Sequence, residues 1–246
     1  MADVAPLVFY EKPDFANRTA VEEWFAAMAD VLLNRSTLLA GSTRHRIVEV
    51  EVYYSSPNHP DPFAHCFPIQ REFGRWYFHR VGPSYRGGSY KGLDLTFGDG
   101  EAYTGILIRT LQRADGTIVN GPSLVVDSLL RSTRKPSVAA LDRAIAECSA
   151  WSSESPLRLA LREDRAVPIV GTPRVGLSMK RFANHPIAND FLERRYRFLT
   201  EPGLVRKGKR QTIRALHRDG HGAEAIAKLT QTRIRTVLRY LSESPA

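Results

Sequence analysis

Two glutamates two residues apart, Glu49 and Glu51, interrupt the apolar stretch "RHRIVEVEVYY" at residues 44–54, and Tyr53 follows at the same interval. Strict alternation of this kind marks a strand. It sets Ile47, Glu49, Glu51 and Tyr53 on one face and Val48, Val50, Val52 and Tyr54 on the other. The valine face reads as core. The acidic face fits either the solvated side of a half-buried sheet or a site whose carboxylate acts on something stacked against Tyr53. A carboxylate so placed can deprotonate a water and stabilise a cationic transition state. Residues of related chemistry follow. "FAHC" supplies His65, "WYFHR" supplies Tyr77 and His79, and Arg109 closes the apolar run "YTGILIR". Taken singly, such a histidine is more often structural and such an arginine is more often half of an ion pair. Together they make a carboxylate, an aromatic, a histidine and an arginine in one basic protein.

The elements that must position these groups can be read along the chain. Residues 18–40 have apolar positions at helical spacing after Thr19, a cap candidate with Glu22 three residues on. Beyond the 44–54 strand, "SSPNHPDPF" is rich in turn formers. "GRWYFHRV", "LDLTFG" and "YTGILIRTL" predict strands, and "GPSYRGGSYKG" is a long loop with four glycines and two tyrosines, Tyr85 and Tyr90. "GPSLVVDSLLR" and "SVAALDRAIAEC" predict helices, and "LRLALRE" and "YRFLTE" predict late strands. Strands and helices without a βαβ rhythm predict an α+β domain: a curved, largely antiparallel sheet with peripheral helices over residues 1–202.

After Pro202 the character changes. "GLVRKGKRQ" is a basic linker, and three short amphipathic helices follow, with Ile213, Leu216, Ile226, Leu229, Val237, Leu238 and Leu241 as their apolar positions. Breaks at "DGHG" and "TQTR" predict a small all-α helix-turn-helix module over residues 203–246, with 233–241 as its recognition helix. Arg233, Arg235 and Arg239 lie on or beside that helix, where a helix packed on all sides would not carry them. A trihelical packing or oligomerisation unit is the other reading of this pattern.

The chain has 246 residues and a net charge of +9, and its basic excess is concentrated between Arg194 and Arg239. That favours a polyanionic partner, because each Lys or Arg at a phosphate releases condensed counterions. No apolar run approaches the roughly 18 residues a membrane span needs. The N-terminal "MADVAPLVFYEKPDF" lacks the order of a signal peptide. Cys66 and Cys148 fit no metal spacing; two thiols could form one disulfide, but a reducing cytoplasm is the simpler home. No metal or other cofactor is expected.

The ordered set of motifs resembles the methylpurine (alkyladenine) DNA glycosylases across roughly residues 6–202. "RIVEVEVY" is similar to the family's opening strand, Ala64-His65 to its following histidine step, "RWYFH" to its aromatic strand and "LIRTL" to its apolar strand. "NGPSLVVDSLL" is similar to its helix, and "TPRVGL" with "RYRFLTEP" to its close. The tail segment "AIAKLTQTRIRTVLRYL" resembles the DNA-binding tail of resolvases and invertases, and is not part of the usual glycosylase pattern. The resemblance implies a metal-free, monofunctional base-excising enzyme acting as a monomer on double-stranded DNA, near the nucleoid. It implies Glu51 as the base that activates water, Tyr53 stacking on the extruded base, His65 hydrogen-bonding that base or its backbone, and Arg109 near the nucleotide's phosphate or the water.

Two departures stand out. His79 occupies the place of a second stacking tyrosine. A longer loop replaces the family's tight hairpin, so that Tyr90, or else Tyr85, would be the wedge that fills the vacated stack. A pocket rebuilt in this way could take a bulkier or phage-type modified base. The competing expectations are a DNA-binding regulator with an inactive glycosylase-like core, and an accessory protein of a recombinase or transposon.

Overall fold

The computed structural model describes residues 6–162, 167–177 and 186–243. Helix α1 (Arg18–Asn34) starts at Asn17, whose side chain accepts the Ala20 amide at 3.2 Å, so Asn17 and not Thr19 is the cap. The helix stops at Asn34. "STLLA" buries alternate residues and forms a strand, where the sequence suggests continued helix.

Among the described residues, twelve strands follow in chain order: β1 (Ser36–Ala40), β2 (Thr43–Ser56), β3 (His59–Pro60), β4 (Phe73–Phe78), β5 (Arg80–Val81), β6 (Ser84–Tyr85), β7 (Leu93–Phe97), β8 (Tyr103–Arg113), β9 (Ile118–Asn120), β10 (Leu157–Leu161), β11 (Val170–Thr172) and β12 (Arg197–Leu199). The helices after α1 are α2 (Pro122–Ser132), α3 (Val138–Ile145), α4 (Ala188–Glu193), α5 (Lys209–Arg218), α6 (Ala223–Thr230) and α7 (Ile234–Ser242). The fold is α+β. Ten strands make one antiparallel sheet in the order β10-β1-β2-β8-β7-β4, with β3 and β12 on β2, β11 on β12, and β9 on β8. The expected 82–92 loop, together with the two residues before it, contains a small β5–β6 hairpin and one 3₁₀ turn, Gly88–Tyr90.

One register row decides where the site lies. Tyr77 pairs with Asp94, Asp94 with Leu107, Leu107 with Glu51, and Glu51 with Arg197, across β4, β7, β8, β2 and β12. Residues directly opposite each other share a face. The row therefore carries four polar groups across a single side of the sheet. On the main-core side, Ile47, Val50, Val52, Ile106 and Ile108 pack with Phe25, Met28 and Leu32 of α1, Val125 and Leu129 of α2, and Leu141 of α3. Each such side chain, fully buried, contributes about 1.5–3 kcal/mol.

The last three helices have a small core of their own, formed by Ile213, Leu216, Ile226 and Val237. Leu229 and Leu238, expected inside, are 43% and 52% exposed. The segment before α5 lies against the sheet. Val205 packs on Val48 and Leu199, and Asn120 donates to the Leu204 carbonyl and accepts the Arg206 amide. No helix among the described residues is long and apolar enough to cross a membrane.

Candidate active site

Two β-bulges aim the site residues. β2 and β8 pair regularly from Tyr53 opposite Gly105 to Val50 opposite Ile108; Glu49 then meets Thr110, and Ile47 meets Leu111. Each strand therefore carries one unpaired residue, Val48 on β2 and Arg109 on β8. A bulge re-aims the side chains beside it. Ile47 joins the main core and Val48 the small cluster with Leu199 and Val205, the reverse of strict alternation. Arg109 lies inside β8 rather than at its end, on the glutamate face with Leu107, and the bulge after it brings Thr110 to that face as well.

There the two carboxylates and two arginines form a neutral, buried quartet. Glu51 is 0% exposed. Its Oε2 accepts from the Tyr53 hydroxyl and from Arg109 Nη1, both at 2.9 Å, and its Oε1 accepts the Val175 amide at 2.7 Å. Arg109 Nη1 also reaches the Val175 carbonyl at 3.5 Å. Glu49 Oε1 accepts from Arg197 Nε at 2.6 Å and Arg109 Nε at 3.2 Å, while Oε2 accepts from Thr110 at 2.5 Å. Burial opposes the charge of Arg109, but the adjacent Glu51 and Glu49 carboxylates outweigh it and hold its pKa above the ordinary value. Burial, then the charge of Glu51, pushes the Tyr53 phenol well up, so Tyr53 remains a donor. The Arg174 guanidinium lies 4.5 Å from the Tyr53 ring centroid and is held by Asp61 through bonds of 2.5 and 3.0 Å.

His65 and His79 belong to a second cluster on this sheet. Their rings meet edge to face at 4.3 Å. His65 Nδ1 is 3.3 Å from the Tyr77 hydroxyl, and His79 Nε2 is 2.8 Å from Asp94 Oδ1. Burial, then the neighbouring His79, pushes the His65 pKa down to about 4.

The remaining candidates stand apart. The Tyr85 hydroxyl donates to Asp142 at 2.5 Å beneath the Arg80 guanidinium, which ties that ring to α3. Tyr90 is 72% exposed. Its loop is fastened to α2 by Ser123 donating to the Gly88 carbonyl and by a Lys91–Asp127 ion pair. Arg233, Arg235 and Arg239 are all exposed on the tail. Four residues of the polar face carry no recognisable spacing signal: Asp94, Arg174, Arg197 and Asp61. The available hint was an acid inside the apolar "LDLTF", and arginines in "TPRVGL" and "RYRFLTEP".

No protein-family model matches the chain. The chain is similar to a mimivirus protein of Acanthamoeba polyphaga mimivirus, the uncharacterized protein L759, at 39% identity over 124 residues. The match covers 44% of this chain and 57% of that relative, so the chain spans little more than half of its length.

Proposed function

We propose that the protein is a DNA glycosylase that flips a modified base out of duplex DNA and hydrolyses its N-glycosidic bond, with Glu51 as the base that activates water. The observation that carries this reading is the convergence of Glu51, Arg109 Nη1 and the Val175 carbonyl beside Tyr53. A carboxylate offers about four acceptor positions, and Glu51 uses three of them, leaving one for a water. Arg109 Nη1 gives up its long contact to the Val175 carbonyl to donate to that water, and the carbonyl accepts from the water. Both glutamates already neutralise Arg109, which favours water support over a phosphate contact for this arginine. Glu49, with two ion pairs, is structural. The overall fold is read as glycosylase-like, and α5–α7 as a helix-turn-helix that grips DNA through α7.

The test is to incubate the pure protein with alkylated, deaminated and bulky-modified duplexes and to identify released bases by mass spectrometry. Release of a base that is lost with Glu51→Gln supports the reading. The complete burial of Glu51 favours one alternative, a DNA-binding regulator of the same architecture without turnover. For that protein no substrate would yield a free base.

Two further outcomes are expected. Tyr90, as the wedge, recovers part of the few kcal/mol of stacking and pairing lost on flipping. Tyr90→Ala therefore slows excision from a fully paired duplex far more than from single strands or a mispaired base, whereas Tyr85→Ala does not discriminate. Fluorescence of 2-aminopurine beside the target reports the unstacking, and equal losses on all substrates would remove the wedge role. Replacing Arg233, Arg235 and Arg239 together by Gln should flatten the dependence of log K on log salt by up to about 2–3 units, near 0.9 per lost phosphate contact. An unchanged slope would take these arginines off the DNA.

A further inference from the structure

We infer that the tail completes the catalytic site: Gly208, the N-cap of α5, is a positioning residue that fixes Val175 against Glu51 and Arg109. This rests on the glycosylase reading above, in which Val175 faces the reacting water. Residues 173–177 belong to no helix or strand, and among the described residues no backbone-to-backbone hydrogen bond holds them. Yet Val175 sets its amide 2.7 Å from Glu51 and its carbonyl 3.5 Å from Arg109. Such placement needs support from outside the segment. The Arg174 side chain supplies one anchor, through Asp61 and the Val52 carbonyl. The tail supplies another.

Gly208 turns the chain into α5 with φ +74°, a left-handed conformation that glycine adopts without strain. A Cβ there would lie 2.5 Å from Val175 Cγ2 and 2.7 Å from Arg197 Nη1, so the bare backbone packs on both. Carbon atoms in ordinary contact are about 3.5–4.0 Å apart. One added methyl must therefore displace its neighbour by about 1 Å. The helix is held too firmly to give way. Arg197 donates to the Lys207 carbonyl at 3.0 Å and to Thr212 at 3.2 Å, and the Thr212 hydroxyl donates to the Gly208 carbonyl at 3.0 Å. Lys209 Nζ donates to the carbonyls of Pro202 and Thr230, Arg195 pairs with Asp219, and Val170 of β11 packs on the tail's own core. Val175, in a segment without backbone bonds, is the part that yields.

Displacing Val175 acts on the water in two ways. It withdraws the amide that holds Glu51 Oε1, which lets the carboxylate turn away from its attacking geometry. It also moves the carbonyl that accepts from the water. A misplacement of about 1 Å at a reacting group costs on the order of 100-fold in rate. The residues assigned to DNA contact, Tyr90, Arg233, Arg235 and Arg239, lie elsewhere on the loop and the tail. Gly208 therefore bears on the chemical step and not on affinity.

The experiment uses the full chain and three readouts. Single-turnover release is measured from duplexes carrying 7-methylguanine or hypoxanthine, and affinity is measured on an unmodified duplex. The backbone amide resonance of Val175 is followed by NMR. Gly208→Ala should slow release about 100-fold, keep Kd within about 3-fold and shift the Val175 resonance. Gly220→Ala is the control. Gly220 also has a positive φ, +88°, but nothing lies within 4 Å of the Cβ it would gain, so it adds backbone strain without the contact. It should change the rate by less than about 3-fold and leave the resonance in place. If Gly208→Ala does not fold, a pair of variants at Thr212 carries the test. Thr212→Val removes the hydroxyl beneath Gly208 and should slow release about 5-fold, the scale of one hydrogen bond, whereas Thr212→Ser keeps the rate. An unmoved Val175 resonance in Gly208→Ala, equal rate losses in Gly208→Ala and Gly220→Ala, or equal rates for the two Thr212 variants would overturn the positioning role while leaving the glycosylase reading intact. Release of neither base by the wild type, nor of any other modified base, would overturn that reading, and the Val175 resonance then decides the positioning role alone.

Discussion

Glu51→Gln is expected to bind duplex DNA at least as tightly as the wild type and to release its base about 100-fold more slowly or worse, the scale of a lost general base. Glutamine keeps an oxygen that can accept the Val175 amide or Arg109, but it cannot take a proton from water. All three partners of Glu51 are donors as placed. The new amide N–H₂ group must face one of them, and only the Tyr53 hydroxyl can turn to accept. The quartet also loses one of its two negative charges. A stability loss of about 1–3 kcal/mol, the cost of an unsatisfied buried polar group, should therefore accompany the kinetic defect. Thermal melting separates the two effects. Glu49→Gln is the control: it disturbs Arg197, Arg109 and Thr110, so it should cost stability while leaving turnover within about 10-fold. If Glu49→Gln stops release and Glu51→Gln does not, the roles of the two carboxylates are exchanged.

The placement of these residues was only partly legible in the sequence. Alternation identified β2 and placed Glu49, Glu51 and Tyr53 on one face, because side-chain direction in a strand is a local property. It misplaced Ile47 and Val48, since a bulge depends on how the partner strand pairs and leaves no mark within "RIVE". The arginine of the site was visible, but its position was not. Arg109 read as a strand end, whereas it lies inside β8 on the face of Leu107, 58 residues from Glu51, and the irregularity after it brings Thr110 to the same face. Arg174 and Arg197 were beyond reach for a plainer reason. Their carboxylate partners, Asp61 and Glu49, lie 113 and 148 residues away, and an isolated arginine has no period to reveal the face it will occupy. In the tail, helical spacing located three helices but counted Leu229 and Leu238 as interior. A stripe of apolar residues says that one face packs and does not fix how wide that face is.

Arg197→Met should be the most destabilising of these changes to the fold, by about 3–5 kcal/mol, the range for removing one partner of a buried ion pair. Arg197 is 0% exposed and spends every nitrogen. Its Nε bonds Glu49, Nη1 bonds Thr172 and Thr212, and Nη2 bonds the Lys207 carbonyl. Thr172 is on β11 and Thr212 on α5, so one guanidinium joins the glutamate strand to a late strand and to the first helix of the tail. Methionine fills similar volume without charge. Glu49 then has only Arg109 to balance it, and Arg109 must also serve Glu51. Replacing both members, Glu49→Leu with Arg197→Met, removes the stranded charge and should recover more than half of the loss, since an apolar pair of similar volume is often neutral to stability. Urea unfolding of the two single variants and the double variant measures the coupling directly. A loss below about 1 kcal/mol for Arg197→Met, or simple additivity of the two single losses, would show that this buried pair does not hold the tail and the sheet together.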